Sequence, residues 1–174
     1  MELTVIYEFY AGVLDAGSCW LDEEQLYLNP VQCMLYDDTR PNLEYKLSLD
    51  LPQGYKIAGA LNQSGKHQLT ASGFQELFDS PFICSDQLKY WSYEVSNCTF
   101  HLWFMGQHQL SKQKVLSDFK KFTNSQIHAF GSFPVPEYHF LFQFPRLKTY
   151  HGVEHQKSAV IALGPGMEMH TEKN

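Results

Sequence analysis

The hydrophobic pattern of this chain changes period near residue 107, and that change limits the fold more than any other feature. Before it, apolar residues come in short runs and alternations broken by turn residues. Tyr45, Leu47, Leu49 and Leu51 alternate with Lys46, Ser48 and Asp50, the period of two that turns one side of a strand to a core and the other to water. Residues 3–11, Leu-Thr-Val-Ile-Tyr-Glu-Phe-Tyr-Ala, hold no turn residue, and we expect a strand there that pairs within the same sheet. Residues 88–95 and 99–105 are rich in aromatics and separated by Ser96-Asn97, which predicts a hairpin. Residues 73–81 read as a short helical turn stopped by Pro81. After the change, Val115, Phe119, Phe122, Gln126 or Ile127, and Phe130 recur at helical spacing. Ser111 suits the N-cap, and Gly131 followed by Pro134 suits the stop, so one amphipathic helix is expected over 112–130. Residues 138–144 and 158–163 return to strand composition. The fold class is therefore mainly β with an α+β C-terminal part, divided into residues 1–108 and 109–174.

Composition removes several classes of function. With 44% hydrophobic and 15% aromatic residues, the chain can bury a core and is not a disordered segment. A formal charge of −6 without a cluster of Lys and Arg excludes a nucleic-acid surface, because phosphate binding needs gathered positive charge. No apolar run approaches the roughly 20 residues that cross a bilayer, and no basic region followed by an apolar run opens the sequence. A membrane partner and a signal segment are thus not expected in this chain. Cys19, Cys33, Cys84 and Cys98 form no Cys-x-x-Cys; buried free thiols are expected, with two disulfides as the alternative that the even count leaves open. Trp91, Tyr93, Phe100, Trp103 and Phe104 read as core. Were they instead a stacking platform, the chain would be a non-catalytic β-rich module binding peptide or glycan.

Chemistry concentrates in residues 150–163, Tyr-His-Gly-Val-Glu-His-Gln-Lys-Ser-Ala-Val-Ile-Ala-Leu. Gly152 lets a neighbouring backbone or ligand approach closely, and Glu154 stands just ahead of a buried strand, where a carboxylate can line a cleft. His151 and His155 formally complete the inverted zinc motif His-x-x-Glu-His. That motif needs a helix. On a strand the two imidazoles lie about 13 Å apart, too far to share one zinc. The chain has no His-Glu-x-x-His, so no metal ligand and no catalytic residue is assigned, and His139 reads as an ordinary histidine. Asp22, Glu23 and Glu24 read as a solvated turn, and Asp79 as a cap or bridge for the turn before Pro81.

Four phrases in order carry a family resemblance: Tyr-Glu-Phe-Tyr-Ala at 7–11, Phe-Gln-Glu-Leu-Phe-Asp-Ser-Pro at 74–81, Phe130-Gly131 with Tyr-His-Phe-Leu-Phe at 138–142, and Gly-Val-Glu-His at 152–155. Together they resemble the PDZ-bearing glycyl aminopeptidases, zinc metallopeptidases similar to aminopeptidase N and thermolysin in their catalytic domain. The resemblance implies the later part of an N-terminal antiparallel β-sandwich, followed by the first helix and strands of a thermolysin-like domain. It also implies that this chain is a fragment, inactive alone. Zinc would belong to the full-length parent and no cofactor to this chain. The partner would be a peptide with a free N-terminus. By the same resemblance Glu154 receives the substrate's α-ammonium, Gly152 and Val153 offer backbone groups to the peptide, and His155 stands where related aminopeptidases carry Asn.

Overall fold

Short strands dominate the first half because its apolar residues come two to four at a time between turn residues. The computed structural model describes residues 3–165. In chain order the first half contains β1 (Trp20–Leu21), β2 (Leu26–Leu28), β3 (Tyr45–Ser48), β4 (Lys56–Gly59), β5 (Asn62–Gly65), β6 (Gln68–Ala71), the short helix α1 (Phe74–Phe78) and β7 (Phe82–Ser85). They form two antiparallel sheets, ordered β1-β2-β7-β4 and β3-β6-β5. Of the alternation over 45–51, Tyr45–Ser48 becomes a half-buried strand, with Tyr45 and Leu47 turned to the core.

The second half is built on one mixed sheet. Its strands are β8 (Lys89–Val95), β9 (Cys98–Gly106), β10 (Glu137–Phe144), β11 (Thr149–Glu154) and β12 (Ser158–Gly164), ordered β11-β12-β10-β9-β8. β10 runs parallel to both β9 and β12, while the two outer pairs are antiparallel. Ser96 and Asn97 both have positive φ, 51° and 62°, the turn that matches the twist of a two-residue hairpin. The sheet begins at Lys89, so β8 and β9 lie with β10 to β12 and not with the strands before them, although the expected division falls at 108/109.

The helix α2 spans Lys112–Phe130, with the Ser111 hydroxyl accepting from the Lys114 N–H and Gly131 at its end. Val115, Leu116, Phe119 and Ile127 pack on Phe100, Leu102, Phe104, Phe142 and Phe144 of the mixed sheet. Phe122 and Phe130, expected on that face, are exposed. Thr123 takes the central buried place, its hydroxyl 2.8 Å from that of Tyr93.

The opposite face of the mixed sheet meets the first sheet: Met105, Leu141 and Val160 pack with Ala16, Tyr27, Ala58, Ile83 and Leu88. A third core fills the space between the two antiparallel sheets, from Ile57, Phe82 and Cys84 to Leu69, Ala71 and Leu77. β7 is therefore buried on both sides, which is why Phe-Ile-Cys-Ser carries no alternation. Each buried aromatic or aliphatic side chain contributes about 1.5–3 kcal/mol of transfer free energy. The aromatics Tyr93, Phe100 and Phe104 are spent in this way, as core.

One expected strand does not form. Residues 3–10 run without a paired strand, with Ile6 93% and Tyr10 92% exposed. β composition needs a partner edge to become a strand, and β1, only two residues long, meets this segment through a single bridge from Gly12 to Trp20. The four thiols are free; Cys19, Cys84 and Cys98 are buried and Cys33 is half-buried. Among the described residues no helix is long and apolar enough to cross a membrane.

Candidate substrate-binding edge

Among the described residues β11 is the edge strand of the mixed sheet, with no strand on one side of its backbone. Its pairing with β12 fixes which groups face that free side. The His155 N–H donates to the Ser158 carbonyl at 2.7 Å, and Val153 stands opposite Val160. In an antiparallel ladder bonded residues alternate with unbonded ones. Val153 and His151 therefore turn their backbone to β12, while Glu154, Gly152 and Tyr150 turn theirs to the free edge. This corrects the expectation for Val153. Its backbone belongs to the ladder and its side chain packs into the core against the first sheet. Of the two expected backbone partners, only Gly152 faces outward.

Gly152 is not required by the fold. An added Cβ there would meet only the Val160 carbonyl oxygen, at an ordinary 3.8 Å. Glu154 closes the strand, exposed, on the same side of the sheet as α2. Beside it, Tyr138 donates its hydroxyl to the Ser158 carbonyl at 2.8 Å. Burial, then the negative charges of Glu154 and Asp79, push the Tyr138 phenol up to about 12. Among the described residues no side chain forms a hydrogen bond or ion pair with the Glu154 carboxylate.

The turn after Glu154 is held from the first half of the chain. Asp79 gives one carboxylate oxygen to His155 Nδ1 and the other to the Gln156 N–H, both at 2.8 Å. Lys157 reaches Glu76 at 2.6 Å, and the second oxygen of Glu76 accepts from the Ser72 N–H and hydroxyl. Asp79 thus does more than cap its own turn; with Glu76 it clasps the β11–β12 hairpin. His155, whose side chain is 7% exposed, serves as the hairpin's grip through its bond to Asp79.

Among the described residues the inverted motif His-x-x-Glu-His does not gather into one site. His151 and Glu154 lie on a strand. His151 faces Asp15 at 3.8 Å, while His155 gives Nδ1 to Asp79. The two imidazoles do not converge. Asp22 is a structural acid, taking the Trp20 indole N–H at 2.7 Å and the N–H groups of Glu24 and Gln25 at 2.9 Å. A groove of about 420 Å³ between Trp20, Met105 and Arg146 lies at the other end of the mixed sheet from Glu154. The edge has priority over the groove as the candidate site because exposed backbone and a free anion converge on it.

Sequence reasoning missed a cluster on β9 and β10. His101 and His139 stand opposite each other across the parallel pair, with ring centroids 4.4 Å apart. A nitrogen of each and a carboxylate oxygen of Glu137 all fall within 4.8 Å of one another. Burial, then His101, holds the His139 imidazole down to about 3. Only the strand register brings these residues together, and no sequence spacing announces it.

Residues 1–86 match the family described as the Peptidase M61 N-terminal domain, ending just before β8. The crystal structure of an aminopeptidase N family protein from Idiomarina loihiensis is similar over 95% of this chain, with TM-score 0.84 and 23% identity. The M1 zinc metallopeptidase from Deinococcus radiodurans is similar over 92%, with TM-score 0.56 and 10% identity. At these identities the likeness establishes the fold. The chain spans 30% of the first of these proteins and 40% of the second. No curated protein matches the sequence.

Proposed function

We infer that this chain is the front part of a zinc-dependent aminopeptidase: much of an N-terminal β-sandwich, then the opening sheet and helix of a thermolysin-like catalytic domain starting at β8. Support comes from the family match over residues 1–86, from the shared fold and from the free edge at β11. Zinc, on this reading, is held by parts of the parent that these 174 residues do not include, and it supplies the activated water there.

The chain's own contribution is to hold the peptide. The substrate lies along β11 as an added strand and bonds the outward N–H and carbonyl of Gly152. Its α-ammonium meets Glu154, because a cation in a partly dry cleft needs a fixed anion and charge-assisted bonds are the strong ones. The observation that carries this is the pairing of a glycine the fold does not need with an unpartnered carboxylate at one free edge.

In the whole enzyme, Glu154→Gln removes the charge and keeps the size. An unpaired ammonium costs about 2–5 kcal/mol at the transition state, so kcat/KM for substrates with a free N-terminus should fall about 30- to several-thousand-fold. N-acetylated substrates, cleaved more slowly, should lose far less. Equal losses on both, or none on either, would overturn the assignment.

A further inference from the structure

We propose that His101, His139 and Glu137 form a binding site for a single divalent transition ion of the zinc class on the face of the mixed sheet. The three side chains project from neighbouring strands on one face, His101 from β9 and Glu137 and His139, two residues apart, from β10. Two imidazoles and a carboxylate are the donor set that borderline ions such as Zn²⁺ and Co²⁺ prefer, with water completing the coordination. Their ligand atoms already lie within 4.8 Å of one another, and Glu137 is exposed, so an ion can enter from solvent.

The surroundings are arranged as second partners to ligands. Tyr90 holds His101 Nδ1 at 2.8 Å, which directs Nε2 inward, and that Nε2 is buried with no protein partner. A buried nitrogen of this kind is costly to leave unbonded, and a metal-bound histidine commonly has its other nitrogen fixed by such a neighbour. Ser158, opposite His139 on β12, also has a buried hydroxyl without a partner. The Trp103 indole N–H donates to His139 Nδ1 over a long 3.3 Å. An ion taking His139 through Nε2 moves the ring proton to Nδ1, so this weak bond breaks and the indole turns. Trp103 is therefore a built-in reporter of occupancy.

The site is separate from the β11 edge and does not depend on the aminopeptidase reading. The test is titration of the metal-free chain with Zn²⁺ by calorimetry and with Co²⁺ by visible absorption. One saturable site in the micromolar range is expected, with cobalt bands of four- or five-coordinate geometry and a change in Trp103 emission. His101→Ala and His139→Ala should each weaken binding by about tenfold or more, as should Glu137→Gln, and Tyr90→Phe by about tenfold. His128→Ala, on the far surface of α2, should leave it unchanged. Tyr90 and Glu137 are exposed, so their variants keep the test valid if an imidazole variant fails to fold. No saturable binding below millimolar Zn²⁺, or binding that these four substitutions leave intact, would overturn the proposal.

Discussion

Asp79 joins two parts of the chain that are 76 residues apart, with one oxygen on His155 and the other on the Gln156 N–H. Removing it strands a buried imidazole nitrogen and a backbone donor at once. Asp79→Ala should therefore cost about 1–3 kcal/mol, read as a lower urea midpoint at unchanged m-value, and Asp79→Asn should recover part of it. A change within about 0.5 kcal/mol, the range of neutral surface substitutions, would contradict the clasp. The sequence presented Asp79 with only its local neighbours, Ser80 and Pro81, and a turn cap is all that local reading can return. Glu154 and Gly152 can be proposed from sequence because an acid ahead of an apolar run is a local pattern. Val153 was misassigned because the direction of a backbone group depends on ladder parity, which no residue type encodes. His101 and His139 were hidden for a related reason: their meeting depends on the register between β9 and β10.

At the scale of elements, α2 was readable to its ends from Ser111, Gly131 and Pro134. Its buried face was less so, since spacing alone admits two neighbouring stripes. The sheet selects the stripe with Thr123, where the short side chain lets Tyr93 reach in and bond it, and leaves Phe122 and Phe130 outside. Thr123→Val keeps the shape but leaves the Tyr93 hydroxyl buried and unbonded, so it should cost about 1–3 kcal/mol. Adding Tyr93→Phe should restore much of the loss, and a double-mutant cycle showing no coupling would contradict this packing. Residues 3–10 show the reverse case. Their composition suits a strand, yet composition cannot supply the neighbouring edge that turns propensity into pairing. β10, parallel on both sides, was likewise unreadable, because local sequence does not state which strands meet.

At the scale of the whole molecule, the first half and the mixed sheet are joined by buried apolar contact and by the ion pair Glu76–Lys157. The Lys157 ammonium first, then Ser72, holds the Glu76 carboxyl down to about 2 from an ordinary 4.5. A carboxyl lowered on folding adds stability that is complete above its unfolded value and is lost as pH falls through its folded value. Stability should thus decline between about pH 5 and pH 2, by up to about 3 kcal/mol, reduced by screening because the Lys157 side chain is 39% exposed. Glu76→Gln should flatten that part of the profile; an unchanged profile would show that the pair does not couple the two parts.

The chain alone should not hydrolyse glycyl or alanyl arylamides, with or without added Zn²⁺, since the proposed peptide edge holds no group that activates water. Zinc-dependent turnover lost on replacing His151 or His155 would instead reinstate the inverted motif. In the proposed function, β11 is the rail on which a peptide's N-terminus is held. Its most direct test is a crystal structure of the whole enzyme with an uncleaved peptide analogue bearing a free α-amine. The amine nitrogen is expected within about 3 Å of a Glu154 carboxylate oxygen, with the analogue's backbone bonded to the N–H or carbonyl of Gly152. An analogue bound with its amine on another acid, and with β11 uncovered, would contradict it.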